Sequence, residues 1–173
     1  MLGVLLMLMT DVHAMDISGE VLLQATPQDG VMTGFGGHLG NDRLYGRVDG
    51  RGLPTGLWQG RVTGGIDWLA MTDLVDVTTG VFVGTVGDGR AVSVDPQTTG
   101  GLTLGLQADV GMLQGRYRHI QGWQADRQSF SEDEFRLGVQ MLGTVQIFAQ
   151  YSRLLPAESA EIVGIGGGLQ VRF

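Results

Sequence analysis

The chain contains no cysteine, so neither a disulfide framework nor a cysteine-ligated zinc site is possible. It also contains no lysine, and all 11 of its basic residues are arginines. Because there are 18 acidic residues, the formal net charge is −7. Nucleic-acid binding needs a basic patch, so this charge balance argues against nucleic acid as a partner. The length of 173 residues suggests one domain.

Long hydrophobic runs are also missing. A membrane-spanning helix needs about 20 apolar residues, and no run after residue 14 approaches that length. The apolar run Leu2–Met9 has the length of a signal-peptide core, and Val12-His13-Ala14 matches a small-residue cleavage site. We therefore expect a signal peptide over residues 1–14 and a mature domain over residues 15–173. No basic residue precedes the run, so we expect the true start to lie upstream. The alternative is a buried amino-terminal strand or helix.

Proline is scarce and glycine is abundant, with 4 and 30 residues. The glycines exceed the usual share of about 7% without a Gly-X-Y period, and a hydrophobic fraction of 43% argues against a disordered chain. Apolar or small residues alternate with polar ones in segments of about ten residues, as transmembrane β-strands require. Ten such segments occur: Ile17–Ala25, Val31–Leu39, Leu44–Asp49, Arg61–Ala70, Val75–Thr85, Leu102–Val110, Leu113–Arg118, Phe135–Met141, Val145–Ser152 and Ile162–Phe173.

These segments predict an all-β fold, a closed antiparallel transmembrane β-barrel of about ten strands. Closure removes the unpaired strand edges that lipid cannot satisfy. The connections alternate between tight turns, expected in the periplasm, and longer outer loops, which include Gly50–Gln59 and Gly122–Glu134. All four prolines fall in predicted outer loops, as expected of a residue that cannot donate to a sheet: Pro27, Pro54, Pro96 and Pro156. If a pair of segments near Leu44–Ile66 merged or left the wall, the barrel would have eight strands.

The carboxyl-terminal strand carries the most informative pattern. Counting back by twos from Phe173 gives an apolar face, whereas the interleaved positions are polar or glycine. This pattern resembles the carboxyl-terminal signal of Gram-negative outer-membrane β-barrels, with Val171 in place of the usual aromatic residue. The resemblance implies that Gly168, Val171 and Phe173 are read by the barrel-insertion machinery. It also implies export through the signal peptide to the outer membrane.

The whole layout resembles small outer-membrane barrels, and most nearly the YfaZ-type family. The resemblance rests on the first strand Ile17-Ser18-Gly19, on a glycine-rich second strand, and on the closing Val171-Arg172-Phe173. The resemblance implies no catalytic residue in this chain.

The charged residues of the strands share the parity of the predicted lumen. An arginine facing lipid at the bilayer midplane would cost about 2–4 kcal/mol, so we expect these charges to point inward and to pair. The predicted lumen network comprises Glu20, Arg47, Asp49, Arg61, Asp67, Asp76, Asp109, Arg116, Arg118, Arg136 and Arg172. The network indicates either a polar plug or a charged constriction in a narrow pore. We favour the plug, because side chains just fill the interior of a barrel of about eight strands.

Aromatic residues are predicted near both rims, as in the girdles of outer-membrane barrels. Trp58, Trp123 and Tyr151 lie toward the outer rim and Trp68 lies toward the periplasmic rim. We expect outer-membrane lipids and lipopolysaccharide to surround the barrel. Acidic residues of the predicted outer loops would bind divalent cations or an unknown surface ligand, or would simply be solvated. They are Asp29, Asp88, Asp95, Asp126, Glu132, Asp133, Glu134 and Glu158.

Enzymatic constellations are scarce. The predicted mature domain has two histidines, inward His38 and outward His119, and we see no serine flanking either one. Nucleophilic catalysis needs such a pair, so we expect no catalytic residue, no metal site and no cofactor. The favoured function is a structural or surface-interaction barrel with a plugged lumen. The alternatives are a narrow passive channel and, less favoured, an outer-membrane lipid-modifying or proteolytic enzyme.

Overall fold

The computed structural model describes residues 15–27, 30–41, 43–52, 56–72, 75–88, 97–124, 129–156 and 161–173. The predicted signal peptide, residues 1–14, lies outside the described residues. So do two of the prolines and four of the loop acids: Pro54, Pro96, Asp29, Asp95, Asp126 and Glu158. Among the described residues, there is no helix of the length and apolar character needed to cross a membrane.

Ten antiparallel strands form one closed barrel. Each strand pairs with its neighbours in the sequence, and the first strand pairs with the last to close the wall. The prediction of ten strands is confirmed, and the eight-strand alternative is wrong, because the third and fourth strands pair separately with both of their neighbours. The strands are β1 Asp16–Thr26, β2 Gly30–Gly40, β3 Leu44–Gly52, β4 Leu57–Thr72, β5 Val75–Asp88, β6 Gln97–Val110, β7 Leu113–Gln124, β8 Ser129–Leu142, β9 Val145–Pro156 and β10 Ile162–Arg172.

The period-two pattern places apolar side chains on the outside of the wall. Val21, Phe35 and Leu137, on three different strands, are each more than half exposed. Polar residues of the opposite parity are buried inside, and Gln24 and Gln150 are almost completely enclosed. A water-soluble protein has the reverse distribution, with apolar residues inside and polar residues outside. A barrel surrounded by lipid requires apolar residues on its outer face.

The tight turns lie at one end of the molecule, together with the start of β1 and the end of β10. We call this end the turn end. Gly111 and Gly143 occupy two of these turns with φ angles of 61° and 51°, which other residues rarely adopt. The side-chain oxygen of Asn41 shapes a third turn by accepting two backbone hydrogen bonds. The backbone N–H of Phe173 donates to the Ile17 carbonyl at 2.8 Å and ties the last residue to β1. We call the opposite end the loop end.

The strands extend farther toward the loop end than the sequence pattern indicates. β7 continues to Gln124 and β8 already begins at Ser129, so the predicted loop Gly122–Glu134 is wrong over most of its length. Pro156 is the last residue of β9, and its assignment to a loop is also wrong. Near the loop end the outward face of β8 is polar at Ser131 and Asp133, so the pattern of apolar outward residues does not mark this part of the strand.

Inward glycines make room for large lumen side chains. A Cβ added at Gly168 would lie 2.6 Å from the Phe148 ring, and one added at Gly84 would lie 2.9 Å from Cγ of Arg61. Both distances are shorter than a van der Waals contact. At these positions the glycines accommodate large neighbours, so they do not leave water-filled gaps.

Candidate functional site

Six of the predicted lumen charges are joined by ion pairs. Asp49 is the branch point, because its carboxylate accepts from the guanidiniums of Arg47, Arg61 and Arg118 at 2.9–3.0 Å. Arg47 continues to Glu20 at 2.5 Å. The six residues of this series of ion pairs are Glu20, Arg47, Asp49, Arg61, Arg118 and Arg136.

Three further charged residues close part of this series of ion pairs into a ring. They are Arg51 on β3 and the two acidic residues Glu132 and Glu134 on β8. Glu132 accepts from Arg61 at 2.7 Å and Glu134 accepts from Arg118 at 2.6 Å, while Arg51 contacts both carboxylates. The ion-pair ring alternates in sign around the lumen: Asp49, Arg61, Glu132, Arg51, Glu134 and Arg118.

The assignment of Glu132 and Glu134 to a solvated outer loop is therefore wrong. The two residues are only 1% and 5% exposed. The run Glu132-Asp133-Glu134 suggests a loop because every residue is acidic, but in a strand its members alternate between the two faces. Both glutamates share the parity of Arg136 on the same strand, and this is the signal that could have placed them inside.

Arg136 ends the chain of ion pairs on the turn-end side of the ring. Its guanidinium donates to Glu20 at 2.5 and 3.1 Å and to the side-chain oxygen of Gln150 at 2.7 and 3.1 Å. Its central carbon lies 3.8 Å from the centre of the Phe148 ring, a close cation–π contact. Acceptors and an aromatic face therefore hold this side chain in one place.

An apolar cluster lies in the lumen beside the ring. Phe82, Ile120 and Phe130 are all at most 6% exposed, and Leu154 packs against them. The guanidinium of Arg61 lies 5.9 Å from the centre of the Phe82 ring, so the cluster sits directly on the ion-pair ring. Charged and apolar side chains together thus occupy this part of the lumen.

The other five predicted charges make no ion pair with the network in the described part of the chain. They are Asp67, Asp76, Asp109, Arg116 and Arg172. Four of them line a cavity of about 370 Å³ at the turn end. The exception is Asp109, which is exposed near the rim and accepts a hydrogen bond from Gln107 at 3.1 Å. From the turn end inward, the lumen therefore contains a cavity and then the charge network, with the apolar cluster beside it.

All four residues predicted for the aromatic girdle face outward and are at least partly exposed. They are Trp58, Trp68, Trp123 and Tyr151. Tyr151 also belongs to an aromatic row across β7, β8 and β9, which continues through Phe135 to Tyr117 with ring centres 6.3 and 4.7 Å apart. This row marks the loop-end edge of the apolar band on that side of the barrel.

A polar row faces outward next to this aromatic row, on its loop-end side. Nδ1 of His119 lies 2.8 Å from Oδ1 of Asp133, and the Tyr117 hydroxyl donates to the same oxygen at 2.7 Å. Arg153 follows on β9 and pairs with Glu161 at 2.5 Å. Asp133 is therefore part of the barrel wall, and its assignment to an outer loop is wrong.

Ser131 shares the outward face of β8 with Asp133, so a serine lies closer to His119 than the sequence pattern indicates. A catalytic triad requires a hydrogen bond between the serine and the histidine. No such bond joins Ser131 to His119 in the described structure. In these same ranges, no three acidic or histidine side chains are grouped so that they could hold a metal ion.

The three residues of the predicted assembly signal lie on both faces of β10. Gly168 points inward beneath the Phe148 ring. Val171 and Phe173 have the outward parity, and Phe173 is 82% exposed. This placement leaves Phe173 accessible, while its recognition by the insertion machinery stays a prediction.

No protein-family model matches the chain, and no curated protein matches it. Among solved structures, it is similar to the KdgM porin, with a TM-score of 0.52 and 9% identity over 91% of this chain and 99% of that one. The structure described as KdgM porin in complex with disordered oligogalacturonate gives 0.57 and 8% with the same coverage. The NanC porin gives 0.51 and 8%, over 92% of this chain and 100% of that one.

At such low identity these likenesses show the fold alone. The chain has the fold of small outer-membrane β-barrel proteins, as the sequence predicts. Membership of the YfaZ-type family is not shown.

Proposed function

We propose that this protein is an integral outer-membrane β-barrel with a structural or surface-interaction role and a plugged lumen. The ion-pair ring is the observation that carries this proposal. Each of its six members contacts at least two partners of opposite sign, so little free charge is left to attract ions. The apolar cluster of Phe82, Ile120 and Phe130 adds buried apolar surface beside the ring, against which an ion would lose its hydration without compensation.

The proposed setting follows from the outer face of the wall. Its apolar band and outward aromatic residues suit outer-membrane lipids and lipopolysaccharide. The turn end would face the periplasm and the loop end the cell exterior. We further propose that residues 1–14 are a cleaved signal peptide, that Phe173 belongs to an assembly signal, and that the chain is similar to the YfaZ-type family. We propose no catalytic role, cofactor or nucleic-acid partner.

Conductance of the refolded protein in planar bilayers tests the plug. We expect the wild type to show little or no conductance. The double variant Arg61→Ala with Arg118→Ala removes two of the three cations of the ring. Arg51 would then be the one arginine of the ring left for its three carboxylates, and this excess of negative charge should open a cation-biased leak.

Arg153→Ala is the matched control, because this arginine lies on the outer wall and pairs only with Glu161 in the described structure. It should stay as silent as the wild type. Steady, ion-selective conductance from the wild type would refute the plug and favour a channel.

A narrow passive channel is the second candidate, and the cavity at the turn end is the observation that favours it. The cavity reaches the charge network at Arg47 and Arg118, so the part of a transport path next to the turn end would already be open. The similar KdgM porin is described in complex with disordered oligogalacturonate. If this chain transports solutes, the arginines of its lumen favour anions.

A further inference from the structure

The cavity at the turn end has the size of a small-molecule site. Its volume of about 370 Å³ falls in the usual range of about 300–1,000 Å³ for ligand pockets. Arg47 and Arg118 bound it toward the ion-pair ring, and hydroxyl groups such as those of Tyr45 and Thr78 lie along its walls. A ligand of several non-hydrogen atoms can therefore enter from the turn end and find polar partners.

Arg116 lines this cavity without a carboxylate partner in the described part of the chain. Its Nε and Nη2 both donate to the side-chain oxygen of Gln107, at 3.3 and 3.1 Å, and that amide carries no net charge. Arg116 also lies directly opposite Arg136 in the pairing of β7 with β8, a position in which like charges repel. The nearby carboxylate of Glu20 is already bound by Arg47 and Arg136.

A second cation stands on the same cavity. Arg172 lines it from β10, and no ion pair of this residue occurs among the described contacts. His38 also borders the cavity and stacks on Tyr45 with ring centres 5.9 Å apart. Two guanidiniums without a counter-charge thus border one space.

The remaining wall of the cavity is acidic. Asp16, Asp67 and Asp76 line it from β1, β4 and β5, and none of them is in ion-pair contact with Arg116 or Arg172. A ligand with negative charge at both ends would be repelled by these carboxylates. A ligand with one negative end and a neutral or cationic body would meet complementary charge at both walls.

We propose that this cavity binds a small molecule that carries one oxyanion group, a carboxylate or a phosphate, and that Arg116 anchors this group. A guanidinium offers a planar pair of donors that matches the two oxygens of either group. The bound oxyanion would supply the counter-charge that Arg116 lacks. The site is reached from the turn end, so it is compatible with a plugged lumen as well as with a channel.

Saturation-transfer NMR on the wild-type barrel, refolded in an uncharged detergent, tests the site. Acetate and methyl phosphate are the probes, and acetamide is the uncharged control for acetate. We expect saturable binding of at least one anion and none of acetamide. Arg116→Gln should weaken that binding about tenfold or more, the effect of losing one hydrogen bond to a charged group.

Arg153→Gln is the matched control, because it removes an outward arginine and should leave the affinity unchanged. The preferred probe identifies the oxyanion group. Absence of saturable binding to the folded wild type, or equal affinity in the wild type and Arg116→Gln, would overturn the proposal. Conductance plays no part in this readout, so a failure of the plug would be seen separately.

A second variant keeps the test decisive if Arg116→Gln does not refold. Asp76→Asn removes one carboxylate of the acidic wall and leaves the arginines in place. It should raise the affinity for the dianion malonate relative to acetate. An unchanged ratio of the two affinities would contradict a site in which the acidic wall selects against a second negative charge.

Discussion

Glu132 connects two opposite sides of the barrel through a single side chain. It belongs to β8, and its partners Arg51 and Arg61 belong to β3 and β4, which lie across the lumen in the strand order. The residue is 1% exposed, so water cannot replace a lost partner. A buried charge that loses its counter-ion is much less stable than either the intact pair or an apolar substitute for the pair.

Replacement of this residue should therefore destabilise the barrel strongly. We expect Glu132→Ala to lower the free energy of unfolding by about 3–5 kcal/mol, because Arg51 loses one carboxylate partner and so does Arg61. The measurement is denaturant unfolding of the refolded protein in micelles, followed by heat-modifiable electrophoretic mobility.

The neighbouring residue offers a matched control for this prediction. Asp133→Ala removes the adjacent carboxylate, which faces outward and is partly exposed, and should cost only about 1 kcal/mol. Equal losses of unfolding free energy in the two variants would contradict the prediction, because an inward and an outward carboxylate of β8 would then contribute equally to stability.

Parity predicts which face a charged residue occupies, but it does not predict the partner of that residue. Asp49 and Arg118 could be placed inside from alternation alone. Their contact depends on two strands that are far apart in the wall and on the relative height of each residue. Those heights follow from the register of every intervening strand pair, which local patterns do not contain.

At the scale of the strands, the sequence pattern is clear only where lipid borders the wall. There one face is apolar and the other polar, so even the short segment Leu44–Asp49 was recognisable and corresponds to β3. Toward the loop end the outward face becomes polar, as at Ser131 and Asp133, and the inner face includes apolar residues such as Phe130. The pattern of apolar outward residues then disappears, although hydrogen bonding between the strands continues.

The closing strand provides a prediction about assembly. Phe173 follows the last paired residue of β10, and its exposed ring contributes little to packing within the wall. We expect deletion of Phe173 to reduce outer-membrane levels sharply, because the resemblance assigns it to the insertion signal. The measurement compares folded, heat-modifiable protein in the membrane fraction at equal synthesis.

Refolding in vitro separates this role from a structural one. The truncated chain keeps the β1–β10 register from Ser18–Arg172 to Ala25–Ile165, so it should refold in detergent with nearly the wild-type stability. Normal membrane levels of the truncated protein would contradict the assembly role. A large loss of stability in detergent would instead assign Phe173 to the barrel fold.

For the whole molecule, the requirements of lipid made the architecture predictable. Backbone groups in a bilayer must all be paired, so ten amphipathic strands with an even count leave a closed barrel as the natural solution. The packing inside the lumen was not predictable in the same way. It depends on which inward residues come into contact across different strands, as Phe82, Ile120 and Phe130 do.

A lumen that is open only at the turn end predicts a difference in access from the two sides of the membrane. The absence of native cysteine makes this difference measurable. Thr78 lines the cavity at the turn end. Thr99 is 1% exposed and lies beside Arg61, outside that cavity. In oriented vesicles, a membrane-impermeant thiol reagent should modify Thr78→Cys only from the turn end. It should modify Thr99→Cys from neither side, because this position is only 1% exposed in the closed lumen. Modification of Thr78→Cys from the loop end would mean that a continuous aqueous path crosses the ion-pair ring, and the channel would then replace the plug.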